Sequence, residues 1–180
     1  MFSELDILRD VTAKFDKSGI QYMLTGSLAM SYYAQPRMTR DIDLVLEISP
    51  NVVTDFENVF KSEYYVSIDS IRDAIRNEFI FNLIHTESTI KVDCIIRKKS
   101  EFRKKEFERK QKVQLKDFDI FIVSKEDLII SKLFWIKESE SGIQKTDIKN
   151  LLKTGFDEEY LLHWINKLNL QNIFQAIKDE

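Results

Sequence analysis

The stretch DIDLVLEI, residues 41–48, is the feature that most constrains how this chain can fold. Apolar Ile or Leu stands at every even position, which is the period of a β-strand with one buried face. Asp41 and Asp43 are two residues apart and therefore point together to the other face. Two carboxylates on a largely buried strand are costly unless a positive charge balances them. The stretch therefore predicts a strand with a cation beside its first two acidic residues.

A second strand carries a third carboxylate. The segments EFIFNLIH and TIKVDCIIR flank the short stretch TES, which predicts a β-hairpin. Asp93 lies on the polar side of the alternation in the second segment. If that strand neighbours the DIDLVLEI strand, Asp41, Asp43 and Asp93 converge, repel one another and raise their pKa values. Oxygen-only ligands favour Mg²⁺ or Mn²⁺, which normally bridge to substrate phosphates, so the three residues are predicted metal ligands.

A Gly-Ser pair, Gly26 and Ser27, stands between the strand-like IQYML and an apolar helical segment. A turn into a helix presents backbone N–H groups and the positive end of the helix dipole, which can receive a phosphate. Gly26 would let the backbone approach closely, and the Ser27 hydroxyl would add a donor. A phosphate-binding turn beside a metal-binding carboxylate cluster indicates nucleotidyl transfer by two metal ions. An ordinary strand-to-helix cap is the alternative for this pair.

Strands and helices alternate up to about residue 123, and helical periodicity dominates afterwards. Further strands are predicted at IQYML and FDIFIVS, and helices at SELDILRDVTAKFDK, NVVTDFENVFKS and SIRDAIRN. The segment SEFRKKEFERKQK is predicted as a charged helix or helix-like connection. Ser124 and Asp157 are candidate N-caps of later helices, and Trp135 and Trp164 are predicted core residues. We therefore predict an α/β (α+β) fold with a mixed sheet flanked by helices, in which residues 1–123 form the core and a helical C-terminal region, 124–180, packs on it.

Composition excludes several classes of protein. The formal net charge is −3, so nucleic-acid binding would require a local basic patch. The single cysteine, Cys94, rules out an internal disulfide framework and a cysteine-based zinc site. The N-terminal residues lack the pattern of a secretory signal, and no apolar run is long enough to span a bilayer. We therefore expect a soluble, cytoplasmic protein with no membrane partner.

The order of these motifs resembles a known superfamily. The Gly26-Ser27 turn, the DID pair thirteen residues later and the KVD that ends at Asp93 resemble the polymerase-beta-type nucleotidyltransferase superfamily. The longer string GSLAMSYYAQPRMTRDIDLV resembles more specifically the minimal nucleotidyltransferases of the AbiEii toxin type and related bacterial proteins. In that group an Arg-x-Thr-x-Asp-x-Asp pattern precedes the strand, and the residues at the first two of these positions are Arg37 and Thr39.

The C-terminal segment SKEDLIISKLFWIKESESGIQKTDIKNLL resembles the same group, which has a lysine on one helix and an aspartate on the next. Lys132 and Asp147 are the matching residues. The resemblance therefore covers roughly residues 24–152, and it implies a nucleotidyltransferase palm with a helical C-terminal part.

The resemblance also implies roles for these residues. Asp41 and Asp43 would hold Mg²⁺ or Mn²⁺, and Asp93 would be a third ligand or the base for the incoming hydroxyl. Lys132 would reach the triphosphate, and Asp147 would orient the triphosphate or the acceptor, which completes the implied catalytic set. The implied nucleotide-binding residues are Gly26, Ser27, Arg37, Thr39 and Lys132.

Structural alternatives exist for most of these residues. Asp41 and Asp43 could discourage pairing at an exposed sheet edge. Lys132 could lie along the core edge with its ammonium in water, and Asp147 could interact with a helix dipole. Residues 97–112 hold nine basic residues and three acids, which predicts a solvated helix face or, alternatively, a patch for an RNA acceptor or an acidic protein.

The predicted reaction is transfer of a nucleoside monophosphate from a nucleoside triphosphate to an acceptor hydroxyl. The acceptor would be an RNA such as tRNA, a protein or a small molecule such as an aminoglycoside. One hypothesis is the toxin of a toxin–antitoxin or phage-defence system, with an antitoxin protein as partner. A second is a transferase for small molecules. A third is a catalytically weak nucleotide-binding or antitoxin-like module that acts by binding its partner.

Overall fold

The computed structural model describes residues 2–36, 39, 41–139 and 141–179. Within these residues, seven strands form one mixed sheet in the order β3-β4-β5-β2-β1-β7-β6. The strands are β1 (Gln21–Thr25), β2 (Asp41–Glu47), β3 (Tyr64–Tyr65), β4 (Ile80–His85), β5 (Lys91–Ile96), β6 (Gln111–Leu115) and β7 (Phe118–Ile122). The pairs β2–β5 and β1–β7 are parallel, and the other neighbours are antiparallel. The predicted mixed α/β fold is confirmed.

Helices cover the sheet and follow its last strand. They are α1 (Glu4–Lys17), α2 (Gly26–Tyr33), α3 (Val53–Phe60), α4 (Ile68–Asn77), α5 (Glu101–Glu108), α6 (Lys125–Ser139), α7 (Gly142–Leu152), α8 (Glu158–Lys167) and α9 (Gln171–Asp179). A short 3₁₀ turn, Pro50–Val52, leads into α3. The α6 helix packs against α7, α8 and α9 and also against α2, so the C-terminal helices contact the part of the fold that follows β1.

The central strand β2 forms as its alternation predicts. Ile42, Leu44 and Leu46 are fully buried, whereas the first and last residues of the strand are exposed. The neighbouring β5 contributes Val92 and Cys94 to the same core. Fully burying an aliphatic side chain contributes about 1.5–3 kcal/mol, so the apolar faces of these two strands provide much of the free energy that holds the sheet centre together.

Local signals place most helix starts. Ser3 accepts a hydrogen bond from the backbone of Asp6, and the Asp6 carboxylate accepts one from the Ser3 backbone, which forms a capping box for α1. The predicted caps Ser124 and Asp157 are confirmed, because each side chain accepts a backbone N–H three residues later.

Two elements differ from the sequence prediction. The segment predicted as one charged helix or connection up to residue 112 is a helix only to Glu108, and the edge strand β6 begins at Gln111. The polar pattern QKVQL hides this strand, because an edge strand with one solvated face needs few apolar residues. The two-residue strand β3 was also missed, since so short an edge strand has no periodicity to detect.

Buried polar contacts fix the C-terminal helices to α5. Asp127 on α6 is fully buried and accepts hydrogen bonds from Ser124, Arg109 and Tyr160. The Arg109 guanidinium also lies 3.7 Å from the centre of the Tyr160 ring. Because a buried carboxylate is costly without partners, these contacts specify how α6 and α8 meet the end of α5.

The surface differs from expectation at one tryptophan. Trp164 is buried as predicted, but Trp135 is 56% exposed, so its assignment to the core was wrong. Helical spacing cannot tell which face of α6 is left uncovered, because the buried residues 125–133 follow one another around the whole circumference of the helix. Among the described residues, no helix combines the length and the apolar character needed to cross a membrane.

The buried centre of β2 gives a prediction about stability. Leu44→Ala removes a fully buried side chain and should lower the free energy of unfolding by about 2–5 kcal/mol, measured by urea denaturation. Leu162→Ala, at a leucine that is 38% exposed, is the matched control and should change the stability by less than about 1 kcal/mol. Equal effects of the two substitutions would contradict the assignment of β2 to the centre of the core.

Candidate functional site

The three predicted acidic residues lie on adjacent strands. In the parallel pair β2–β5, Asp43 is in register with Asp93, and Asp41 with Lys91. On its other side, Asp43 is in register with Thr25 at the end of β1. The carboxylates therefore gather where β1 ends and α2 begins. The strand that carries Asp93 is thus the neighbour of the DIDLVLEI strand, as convergence of the three aspartates requires. The alternation of side chains along each strand could not establish this pairing.

Gly26 contacts the acid cluster directly. Its φ angle is +65°, in the left-handed region that favours glycine. A Cβ atom at this position would lie 2.0 Å from Oδ2 of Asp43, far closer than any non-bonded contact allows. The sequence interpretation, in which Gly26 permits a close approach, is therefore matched by the backbone. What approaches in the structure is the carboxylate of Asp43.

The Asp43 carboxyl is electrostatically strained. Its removal from water raises its pKa most, and the negative charges of Asp93 and then Asp41 raise it further. The charges of Lys132 and Lys91 lower the same pKa. Because an ionised carboxylate among other carboxylates is destabilised, an additional cation would relieve this strain.

Sequence reasoning missed two residues of the site, Lys91 and Asn82. The Lys91 Nζ lies 3.0 Å from Oδ1 of Asp93 and 3.6 Å from Oδ1 of Asp41. Asn82 on β4 donates a hydrogen bond of 2.5 Å to Oδ1 of Asp93. The signal for Lys91 was its two-residue spacing from Asp93, which places both on one face of β5. Asn82 could be found only from the β4–β5 register, in which it stands opposite Asp93.

The structure joins Lys132 and Asp147 in one buried ion pair. Lys132 Nζ lies 2.7 Å from Oδ2 of Asp147 and 2.8 Å from Oε1 of Gln144. Lys132 is 3% exposed and Asp147 is 1% exposed. The alternative of a lysine that extends into water is therefore wrong. A role for Asp147 in the first turn of a helix is wrong as well, because α7 begins at Gly142.

This ion pair lies within electrostatic reach of the strand carboxylates, because the charge of Lys132 lowers the pKa of Asp43. The α2 helix packs against both α6 and α7, which places the pair beside the helix that starts at Gly26. Gly26, the strand carboxylates and the Lys132–Asp147 pair, which are distant in the chain, therefore lie in one region of the molecule.

Ser27, Thr39 and Arg37 are the other residues predicted to bind the nucleotide. Ser27 is the second residue of α2 and is partly exposed. The Thr39 hydroxyl lies 3.4 Å from the backbone oxygen of Asp41. Arg37 lies outside the described residues, so its predicted part in nucleotide binding stays a prediction.

The donor set fits a divalent cation that is completed by a ligand. Mg²⁺ and Mn²⁺ favour carboxylate oxygens and are commonly held by one or two carboxylates together with substrate phosphates. Asp41 and Asp43 share one face of β2 and offer such oxygens. Across the ranges that the structure covers, no group of three or more His, Cys, Asp or Glu side chains is arranged to enclose a metal ion. Asp41 and Asp43 offer the type of oxygen that such an ion prefers, and the role of the three aspartates as metal ligands stays a prediction.

A groove of about 860 Å³ lies at the opposite ends of β2 and β5, away from this site. Its basic side chains are paired with neighbouring acids, in the contacts Arg72–Asp69, Arg76–Asp73, Arg97–Glu47 and Lys99–Glu78. Because these charges are largely compensated, the groove has little net attraction for an anion.

The basic segment 97–112 is also mostly paired within the protein. Besides the contacts of Arg97 and Lys99, its ion pairs are Arg103–Glu106, Lys105–Glu108, Arg109–Asp127 and Lys112–Asp119. These contacts favour the structural interpretation of the segment over a patch for RNA or an acidic protein.

Gly26→Ala tests the close approach to Asp43. We expect it to destabilise the protein by more than Gly19→Ala, which has a similar φ of +66° but open space around the added Cβ. The backbone conformation alone should cost about 1–2 kcal/mol at either position. Gly155→Ala, also in open space, should be nearly neutral. Thermal and urea unfolding measure all three, and equal losses at positions 19 and 26 would contradict the contact.

The buried ion pair gives a second prediction. Lys132→Met alone or Asp147→Leu alone should lower the stability by about 3–5 kcal/mol, because each leaves an uncompensated buried charge. The double variant should recover most of that loss, which a double-mutant cycle of unfolding free energies measures. Additive losses would show that the two side chains do not interact in solution.

Comparisons with known proteins agree with this geometry at the level of the fold. No protein-family model matches the chain, and no curated protein sequence matches it. Among solved structures, the chain is similar to the lincosamide antibiotic adenylyltransferase LnuA, in its lincomycin-bound form, with 16% identity, a TM-score of 0.57 and coverage of 83% of this chain and 96% of that one. The antibiotic-resistance factor ANT(2'')-Ia matches with 11% identity, a TM-score of 0.59 and coverage of 96% and 93%. An antigenic nucleotidyltransferase-like protein from Paracoccidioides brasiliensis matches with 18% identity, a TM-score of 0.56 and coverage of 97% and 92%. The chain therefore has the fold of the nucleotidyltransferases.

Proposed function

We propose that the protein is a metal-dependent nucleotidyltransferase, which moves a nucleoside monophosphate from a nucleoside triphosphate to an acceptor hydroxyl. The single observation that carries this proposal is the meeting of the Asp43 carboxylate, in register with Asp93, with the backbone of Gly26 at the start of α2. The proposed cation ligands and the proposed phosphate-binding turn are therefore direct neighbours. The nucleotidyltransferase fold of the chain supports the same activity.

The N-terminus of α2 is suited to the phosphates. Its first turn has no acidic residue, and Thr25, the N-cap of this described helix, makes no side-chain capping hydrogen bond. In the proposed complex the triphosphate would lie against the first turn of α2, at Gly26 and Ser27, where the helix dipole favours negative charge. Thr39 and Arg37 belong to the proposed nucleotide-binding set through the motif that they share with Asp41.

The acidic residues would hold and activate the reacting groups. Asp41 and Asp43 would bind Mg²⁺ or Mn²⁺, and Asp93 would serve as a further ligand or accept the proton of the acceptor hydroxyl. A bound cation would neutralise the triphosphate and favour loss of the hydroxyl proton. The hydroxyl oxygen forms a bond to the α-phosphorus, the bond from that phosphorus to the bridging oxygen breaks, and pyrophosphate leaves with the electron pair.

Lys132 and Asp147 would act on the triphosphate from α6 and α7. Lys132 would stabilise charge on the transferring group, and Asp147 would set the position of the ammonium. Lys132 is held by Asp147 and Gln144 in the structure, so its approach to a phosphate requires an exchange of hydrogen-bond partners.

The acceptor of the transfer is proposed to be a small molecule, an RNA or a protein. Two of the similar structures contain antibiotic ligands, lincomycin in LnuA and adenylyl-2''-tobramycin in ANT(2'')-Ia. They support a small-molecule hydroxyl as acceptor for this chain as well. A tRNA or protein acceptor would instead suit the toxin of a toxin–antitoxin or phage-defence system, with an antitoxin as partner.

A second candidate function is a catalytically weak nucleotide-binding module that acts through a partner protein, as an antitoxin-like protein would. The observation that favours it is the state of the two site lysines, both of which pair with the protein's own carboxylates. If those pairs persist when a nucleotide binds, little positive charge is left to stabilise transfer.

Labelled nucleoside triphosphates, Mg²⁺ or Mn²⁺ and a cell extract test the proposal. We expect the wild-type protein to release pyrophosphate and to leave the label in a small molecule, in RNA or in protein, which identifies the acceptor. Asp43→Ala should lower the transfer by roughly a hundredfold or more, since it removes a proposed cation ligand.

The matched control is Asp119→Ala, at a largely exposed aspartate on β7 of the same sheet, which should keep full activity. Full activity of Asp43→Ala would overturn the metal role. Nucleotide binding without any release of pyrophosphate would favour the partner-binding module.

A further inference from the structure

We infer that Lys91 is an internal counter-ion of the acid cluster, which holds the place of a cation beside Asp93 and Asp41 and lowers the affinity of the site for divalent metal. The inference rests on the proposed function, because it concerns the same carboxylates, and it assigns a role to a residue that the proposed reaction does not use.

The contacts of Lys91 are those of a bound cation. Its Nζ lies 3.0 Å from Oδ1 and 3.2 Å from Oδ2 of Asp93, so the ammonium faces both oxygens of one carboxylate. It also lies 3.6 Å from Oδ1 of Asp41, on the neighbouring strand. One ammonium thus bridges two acids that belong to different strands, as a metal ion shared between them would.

Backbone geometry makes this placement a property of the sheet. Lys91 stands opposite Asp41 in the parallel β2–β5 register, and Asp93 is two residues further along the same face of β5. The Asp93 carboxylate is also fixed from the opposite side, because Asn82 on β4 donates to its Oδ1. Oδ1 of Asp93 therefore has two donors and Oδ2 has one, and a divalent cation that approaches from the side of Lys91 would compete with the ammonium for both oxygens.

Charge decides the outcome of that competition. Lys91 offers one positive charge to a cluster of three carboxylates, whereas Mg²⁺ or Mn²⁺ offers two. The side chain is 39% exposed, which leaves the flexible lysine room to turn towards solvent when it is displaced. The free-energy cost of displacing Lys91 makes metal binding less favourable. The lysine therefore raises the concentration of divalent metal at which the site is half occupied.

An ordinary cross-strand salt bridge is the competing explanation, and a matched pair in the same sheet separates the two. Lys112 on β6 lies 2.9 Å from Asp119 on β7, with both side chains largely exposed and with one carboxylate partner for the lysine among the described contacts. Removal of Lys112 deletes the same type of pair without touching the acid cluster.

The affinity for Mn²⁺ in the absence of nucleotide tests the inference, and titration calorimetry and electron paramagnetic resonance measure it. We expect Lys91→Met to bind Mn²⁺ about tenfold more tightly than the wild-type protein. Lys91→Arg keeps the charge and should bind Mn²⁺ close to the wild-type affinity, and so should Lys112→Met. A Lys91→Met affinity equal to that of the wild type, or an equal gain in Lys112→Met, would overturn the inference.

Thermal unfolding supplies a second measurement. Without metal, Lys91→Met should melt at a lower temperature than the wild type, and Mn²⁺ should raise its melting temperature by more than it raises that of the wild type. Lys91→Gln serves the same purpose if the methionine variant does not fold. Equal shifts by Mn²⁺ in both proteins would contradict the role of Lys91.

Failure of the inference and failure of the proposed function give different results. If the wild type carries out transfer and Lys91→Met binds Mn²⁺ with unchanged affinity, the counter-ion role of Lys91 is wrong and the proposed function stands. Tighter Mn²⁺ binding by Lys91→Met together with no transfer by the wild type overturns the transferase and leaves the counter-ion standing.

Discussion

The contact between the Asp43 carboxylate and the backbone of Gly26 is the constraint on which the site depends. It exists because β1 pairs with β2, so that the residue before Gly26 stands in register with Asp43. The left-handed backbone at Gly26 then turns the chain into α2 without a Cβ that would collide with the carboxylate. One glycine therefore lets a helix N-terminus and an acidic strand lie in close contact, and this is the juxtaposition on which the proposed nucleotidyl transfer rests.

Both lysines described at the site pair with carboxylates of the protein, whereas the pKa of Asp43 is raised by burial and by the neighbouring carboxylates. Lys91 faces Asp93 and Asp41, and Lys132 faces Asp147. These pairs lower the electrostatic cost of gathering carboxylates in one place, but they also occupy the groups that a metal and a triphosphate would use. In the proposed function, binding of a metal and a triphosphate would therefore exchange these ionic partners, and the affinity would be the difference between two sets of contacts.

The sequence was informative where a side-chain period or a cap fixes local structure. The alternation around Leu44 predicted β2, the pattern SELDILRDVTAKFDK predicted α1, and the hairpin that carries Asp93 was found from its two apolar segments. It failed where tertiary neighbours decide the outcome. The edge strand at Gln111 is held by pairing with β7 and not by its own apolar content, and Trp135 is exposed because no element covers that face of α6 within the described residues.

By itself, the sequence determined that Asp41 and Asp43 share one face of a strand and that a glycine precedes the next helix, because both follow from local backbone geometry. Only the tertiary structure decided which strands are neighbours, and therefore that Asp93 lies opposite Asp43 and that Asn82 holds it from the other side. The burial of the Lys132–Asp147 pair was decided in the same way. Strand order and helix packing arise from contacts between residues distant in the chain, and no local period encodes them.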